Sequence, residues 1–111
     1  MPWLVRDGEV LASLETAAGR RARRRGLLGR DELDGVLRLR ARSVHTFGMR
    51  VPIDVAFCVP RRDGSLEVAG VVTLRPRRVS RPRWRARVAL EAEEGAFRSW
   101  GVGRGDRLEV R

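Results

Sequence analysis

The sequence predicts a mainly β or β-rich α+β domain, a sandwich or barrel with one or two short helices. Three observations carry that reading. Several short runs alternate apolar and polar residues with a period of two, as a strand with one wet face requires. Turn signals such as Asp7-Gly8 and Arg61-Arg62-Asp63-Gly64-Ser65 separate the runs, and closely spaced strands with turns between them argue against a parallel α/β sheet. A chain of 111 residues is large enough for one core and not for two, so residues 1–111 are read as a single domain.

The elements follow in order. Trp3 to Arg6, then Asp7-Gly8, then Glu9 to Leu14 reads as a hairpin, because Asp-Gly supplies the positive φ angles of a tight two-residue turn. Thr16 to Arg30 turns to Ala, Gly and Arg. Its glycines argue against one long helix, which leaves an exposed connection and a short helical turn. Leu37, Leu39 and Ala41 alternate with Arg38, Arg40 and Arg42, and Val51 to Val59 is the most β-like run of the chain. Leu66 to Leu74, rich in Val, is a further strand. Pro76 and Pro82 bracket an Arg-rich loop, since neither can donate a ladder hydrogen bond. Ala86, Val88 and Leu90 mark another alternating run. Ala92 to Trp100 reads as helical, with Ala96, Phe97 and Trp100 on one buried face. Gly101 to Asp106 is a glycine turn and Arg107 to Val110 a closing strand.

Composition excludes several classes. One cysteine allows no internal disulfide, and one cysteine with one histidine cannot form a standard structural zinc site. No metal or cofactor is therefore expected. No run approaches the roughly 20 apolar residues of a membrane span, and the first residues lack a signal-peptide layout, which points to the cytoplasm. All the basic residues are Arg, and Lys, Asn, Gln and Tyr are absent. A GC-rich codon bias accounts for Arg in place of Lys, but not for a net charge of +10. Such a surplus attracts anionic polymers.

Three motifs stand out. Arg25-Gly26-Leu27-Leu28-Gly29-Arg30 is the first. The second is Val44-His45-Thr46-Phe47-Gly48-Met49 through Pro52-Ile53-Asp54-Val55-Ala56-Phe57. The third joins Leu90-Glu91, Gly95 and Gly101 through Gly105-Asp106. In this order, over roughly residues 17 to 110, the chain resembles the domain-of-unknown-function 192 family, also called the uncharacterised protein family 0127. The resemblance implies a compact, mainly β fold of jelly-roll-like or barrel-like character with short helices. It implies no established reaction.

Candidate sites follow from side-chain parity. On a strand over Val51–Val59, Val51, Ile53, Val55, Phe57 and Val59 share a core face, whereas Pro52, Asp54, Ala56 and Cys58 share the other. The small residues of the second face leave space beside Asp54, as a concave site requires. In the preceding segment His45, Phe47 and Met49 would lie on one side, and Thr46, Gly48 and Arg50 on the other. The expected ligand-binding set is His45, Thr46, Arg50 and Asp54, lining a polar hollow. The competing reading makes Asp54 an arginine partner or turn cap and His45 a backbone hydrogen-bonder. Cys58 reads as a small buried hydrophobe, because no base is encoded beside it. Gly101-Val102-Gly103-Arg104-Gly105 lies between a helix and a strand, the reverse of a phosphate loop, and reads as a plain turn.

The electrostatic features are Arg20 to Arg25, the loop Arg75 to Arg87, and a comb of Arg38, Arg40 and Arg42 on one strand face. With Arg85 and Arg87, the comb is the candidate anion-binding surface. The three Trp and three Phe sit in core-like settings, so no base-stacking platform is evident. Two function classes result: a small-molecule-binding or accessory module at His45 and Asp54, and alternatively an anionic-polymer (nucleic-acid) binder acting through arginines. An enzyme ranks third, because no paired carboxylates, triad or metal-ligand set can be read from the chain.

Overall fold

The computed structural model describes residues 2–16 and 35–111. The helical turn expected near Arg25 to Arg30 and the run Arg20 to Arg25 lie outside these residues. Seven strands close into a barrel: β1 (Trp3–Arg6), β2 (Glu9–Thr16), β3 (Val36–Arg40), β4 (Ile53–Pro60), β5 (Leu66–Leu74), β6 (Val88–Glu93) and β7 (Arg107–Val110). One helical turn, α1 (Ala96–Ser99), joins β6 to the last glycine turn.

Around the barrel the order is β1-β2-β3-β6-β4-β5-β7. Every neighbouring pair is antiparallel except β2–β3, which aligns Leu14 with Val36 and Thr16 with Arg38. A parallel pair needs a crossover of a dozen or more residues, which accounts for the long segment between these strands. Closure comes from β1 and β7, where Leu4 faces Val110 and the ends of the chain exchange backbone bonds between Trp3 and Arg111. A closed barrel leaves no strand edge to pair with another chain.

Local chemistry explains the turns. Asp7 and Gly8 take φ values of 50° and 80°, the geometry that a two-residue hairpin loop demands. At Asp63-Gly64 the Asp63 carboxylate accepts from the Ser65 hydroxyl (2.6 Å) and the Ser65 N–H (2.9 Å). The Ser65 hydroxyl first, with the nearby Arg107 charge in support, holds that carboxyl below its ordinary value.

Two cores lie on the two faces of the sheet. The barrel interior receives residues from all seven strands, including Leu4, Leu14, Val36, Ala56, Cys58, Leu90 and Leu108, and is plugged by Phe97 and Val102. The second core lies outside the barrel wall, where Leu37, Leu39, Ile53, Val55 and Phe57 meet Val44, Ala86 and Met49. β4 is therefore buried on both faces. The expectation of open space along Ala56 and Cys58 is corrected, since both have zero exposure and pack in the barrel interior.

Three boundaries also change. Val51 and Pro52 precede β4, which starts at Ile53. The run Ala92 to Trp100 is not one helix: β6 continues to Glu93 and only Ala96–Ser99 is helical. Pairing with β4 extends β6, as Ile53 faces Glu93 and Asp54 faces Ala92, and tertiary pairing overrides a weak local helix preference. The segment around His45 is not a strand of alternating sides either. The Met49 N–H donates to the Thr46 carbonyl (3.1 Å) and Gly48 adopts φ 88°, so the chain turns there.

Candidate functional site

The outer core is covered by two segments lying side by side, residues 41–47 and 77–87. Backbone bonds tie them together. Ala41 N–H donates to Arg87 C=O, Arg83 N–H to Arg42 C=O, Ser80 N–H to Val44 C=O, and Thr46 N–H to Arg78 C=O. His45 and Val79 form an antiparallel bridge. Thr46, fully buried, is the fastener: its hydroxyl donates to the Arg75 carbonyl (2.6 Å) and accepts from the Arg78 N–H (2.9 Å). Ser80 adds a second tie, its Oγ accepting from the Val44 N–H at 2.9 Å.

This ribbon carries the charge. Four arginines occur between Gly35 and Ile53 and seven between Leu74 and Leu90, with no Asp or Glu in either stretch. Among the described residues, the ion pairs Arg6–Asp106, Arg61–Glu67, Arg107–Asp63 and Arg111–Glu109 all lie off the ribbon. Arg42, Arg77, Arg78, Arg81, Arg85 and Arg87 are exposed.

Aromatic rings sit among these arginines. Trp84 is 77% exposed and Phe47 49%, which corrects the expectation that the Trp and Phe residues occupy core-like settings. Trp84 projects from a loop held by its backbone, its carbonyl accepting from Arg42 Nε at 3.3 Å. At the other end of the ribbon the His45 and Phe47 rings lie 5.6 Å apart, tilted by 36°.

Beside Trp84 a cleft of about 460 Å³ opens, lined by Arg83, Trp84, Arg85, Arg104 and the Arg61–Glu67 ion pair. Arg83 is fixed in it by an aromatic neighbour, its guanidinium carbon 5.7 Å from the Phe57 ring centroid, a cation–π distance. Gly70 permits this approach: a Cβ there would lie 2.9 Å from an Arg83 nitrogen. On the other side of the ribbon's end, Arg40, Arg42 and Arg87 surround a recess of about 220 Å³.

The predicted comb is only partly formed. Arg38 and Arg40 share the inward face of Val36, with partners Leu90 and Val88 on β6, because Leu37 and Leu39 take the outer core. Arg38 is half-buried, and its charge reaches Cys58. Arg40 emerges where the barrel opens, and Arg42 lies beyond the strand. The structure thus brings Arg40, Arg42 and Arg87 to one recess, places Arg85 on the adjoining cleft, and takes Arg38 inward.

Among the described residues, no cleft is lined by all four residues of the expected polar hollow. Asp54 lies at the opposite end of β4 from the Trp84 cleft, 5% exposed. Its Oδ1 accepts from the Thr73 hydroxyl (2.6 Å) and its Oδ2 from the Gly95 N–H (2.8 Å). It thereby clasps β5 to the turn before α1. A cleft of about 670 Å³ opens over it, rimmed by Thr73, Glu94, Gly95, Arg98 and Gly103. Thr46, His45 and Arg50 are not among its lining residues. Burial pushes the Cys58 thiol up to about 12, against the opposing Arg38 charge, so the thiol stays protonated. Among the described residues no group of three or more His, Cys, Asp or Glu could hold a metal ion, and no helix is long and apolar enough to cross a membrane.

Sequence reasoning took Trp84 and Phe47 as core, and it named Arg83 only within the loop Arg75 to Arg87 and Arg104 only within a glycine turn. One signal for Arg83 was present: a glycine inside a strand marks close approach by another group, and Gly70 is that residue.

Solved structures share this fold. A candidate transcription regulator from Sinorhizobium meliloti 1021 is 24% identical, with a TM-score of 0.71 over 98% of this chain and 91% of that one. A protein of unknown function from Novosphingobium aromaticivorans DSM 12444 is 15% identical, with a TM-score of 0.69 over 99% of this chain and 82% of that one. No curated protein matches the chain. The model of the DUF192 family, described as "Uncharacterized ACR", matches residues 3–110, and with nearly its whole length covered the chain belongs to that family.

Proposed function

We propose that the protein is a binding module for an anionic polymer, held on the ribbon of residues 41–47 and 77–87. One observation carries this reading: eleven arginines and no carboxylate occupy the two stretches that build and flank the ribbon. Codon bias can exchange Lys for Arg. It does not empty those two stretches of carboxylates. Arginine presents a planar fork of donors that grips phosphate or sulfate in a bidentate manner, and an array of such forks follows a charged backbone.

The test is binding to heparin and to nucleic acid in rising salt. A polyanion site gives affinity that falls linearly with log salt, because bound counterions are released. Retention near 0.15 M salt, the physiological ionic strength, is the expected result. Loss of all binding at that salt contradicts the reading.

A second reading rests on the Asp54 cleft, where a buried carboxylate underlies a cavity of about 670 Å³. A small hydroxylated or cationic molecule is the chemistry that such a carboxylate would hold. Titration with a metabolite panel should then shift the resonances of Thr73, Gly95 and Gly103 together. Shifts confined to the arginine ribbon would count against it.

A further inference from the structure

We infer that the polymer is a single-stranded nucleic acid and that Trp84 is its base-stacking platform. This rests on the polyanion reading above and adds the class of polymer. Three features argue for it together. Trp84 is 77% exposed, far more than packing requires of so large an apolar ring. Its backbone carbonyl is bonded by Arg42, and Arg83 and Arg85 flank it in the sequence and line the same cleft. Phe47, paired with His45, is a second exposed ring on the same ribbon.

The register sets the spacing of the two stations. Arg42 pairs with Arg83 beside Trp84, and Thr46 pairs with Arg78 beside Phe47. Four residues separate the pairs on one segment and five on the other, roughly 13–17 Å of fully extended chain. The exposed rings are thus interleaved with guanidinium groups rather than gathered into a patch.

Those features separate the polymer classes. Heparin has no aromatic base to stack on an indole. A duplex hides its base faces, whereas an unpaired strand offers each of them. A membrane surface calls for a continuous apolar face with basic residues around it. Isolated rings between arginines match a strand that alternates phosphate and base.

The experiment compares the full chain with its Trp84→Ala and Trp84→Phe variants. Each is titrated near 0.15 M salt with a labelled single strand of about 20 nucleotides, the matching duplex, heparin and anionic vesicles. We expect the single strand to bind more tightly than the duplex and to quench tryptophan emission. Trp84→Ala should weaken single-strand binding by about tenfold or more, abolish most of the quench and weaken heparin binding much less. Trp84→Phe, which keeps a ring, should recover much of the affinity. Equal binding of single strand and duplex, unchanged affinity in Trp84→Ala, or tighter binding to vesicles would each overturn the inference while leaving the polyanion reading in place. No binding to any of the four would remove both.

Discussion

Two residues of β4, Asp54 near its start and Cys58 in the barrel interior, each yield a measurement. Asp54 holds two donors from separate elements, Thr73 and Gly95. Hydrogen bonds to a charged group contribute about 1.5–3 kcal/mol each, and its removal leaves the Gly95 N–H without its acceptor. Asp54→Ala should therefore lower stability by roughly 2–4 kcal/mol in chemical denaturation. A loss below about 0.5 kcal/mol, the usual range for surface changes, would show that the clasp is not structural. Cys58 is tested by alkali. Burial raises its folded pKa from the ordinary thiol value of 9.0 to about 12, so the folded state keeps its proton longer than the unfolded state. Its contribution is complete below pH 9 and is lost as pH rises from about 9 to 12. The chain has no Lys and no Tyr, and Arg stays charged there, so no other side chain titrates in that window. Stability should fall across it in the native sequence and stay nearly flat in Cys58→Ala.

The strands were legible where the pattern is local. The strands read over Leu66–Leu74 and Arg107–Val110 have those bounds in the fold, and the Asp7-Gly8 hairpin follows from turn chemistry. The parallel β2–β3 pair and the β1–β7 closure join distant segments, and no periodicity encodes which strand lies beside which. The candidate site was less legible for a related reason. Parity identified Asp54 as unusual and the face of Val55 and Phe57 as core, but it treated β4 as one-sided, whereas Ala56 and Cys58 on the other face pack in the barrel interior. Thr46 reads in the sequence as a ligand-facing hydroxyl; in the fold it fastens the ribbon. Thr46→Val, which keeps the shape and removes the hydroxyl, should cost about 1–3 kcal/mol. Amide exchange at Arg78 and Ser80 should accelerate while Leu90 and Ala56, inside the barrel, remain protected. Uniform acceleration over the whole chain would show that the ribbon is not a separate unit.

At the scale of the whole molecule, a net charge of +10 describes solubility and long-range attraction before it describes a site. What makes it a site is its distribution. The described ion pairs gather off the ribbon, and the ribbon keeps its positive field together with its two exposed rings. If net charge alone governed binding, the position of a removed arginine would not matter. The direct test is a pair of triple variants with equal charge change: Arg77→Glu, Arg78→Glu and Arg81→Glu on the ribbon, against Arg62→Glu, Arg98→Glu and Arg111→Glu elsewhere. All six side chains belong to exposed residues, so both variants should fold with little change in thermal midpoint. For a single-stranded oligonucleotide, the ribbon variant should lose more than about tenfold in affinity and its salt slope should shallow by about three. The control variant should keep most of both. Equal losses in the two variants would contradict the assignment of binding to the ribbon.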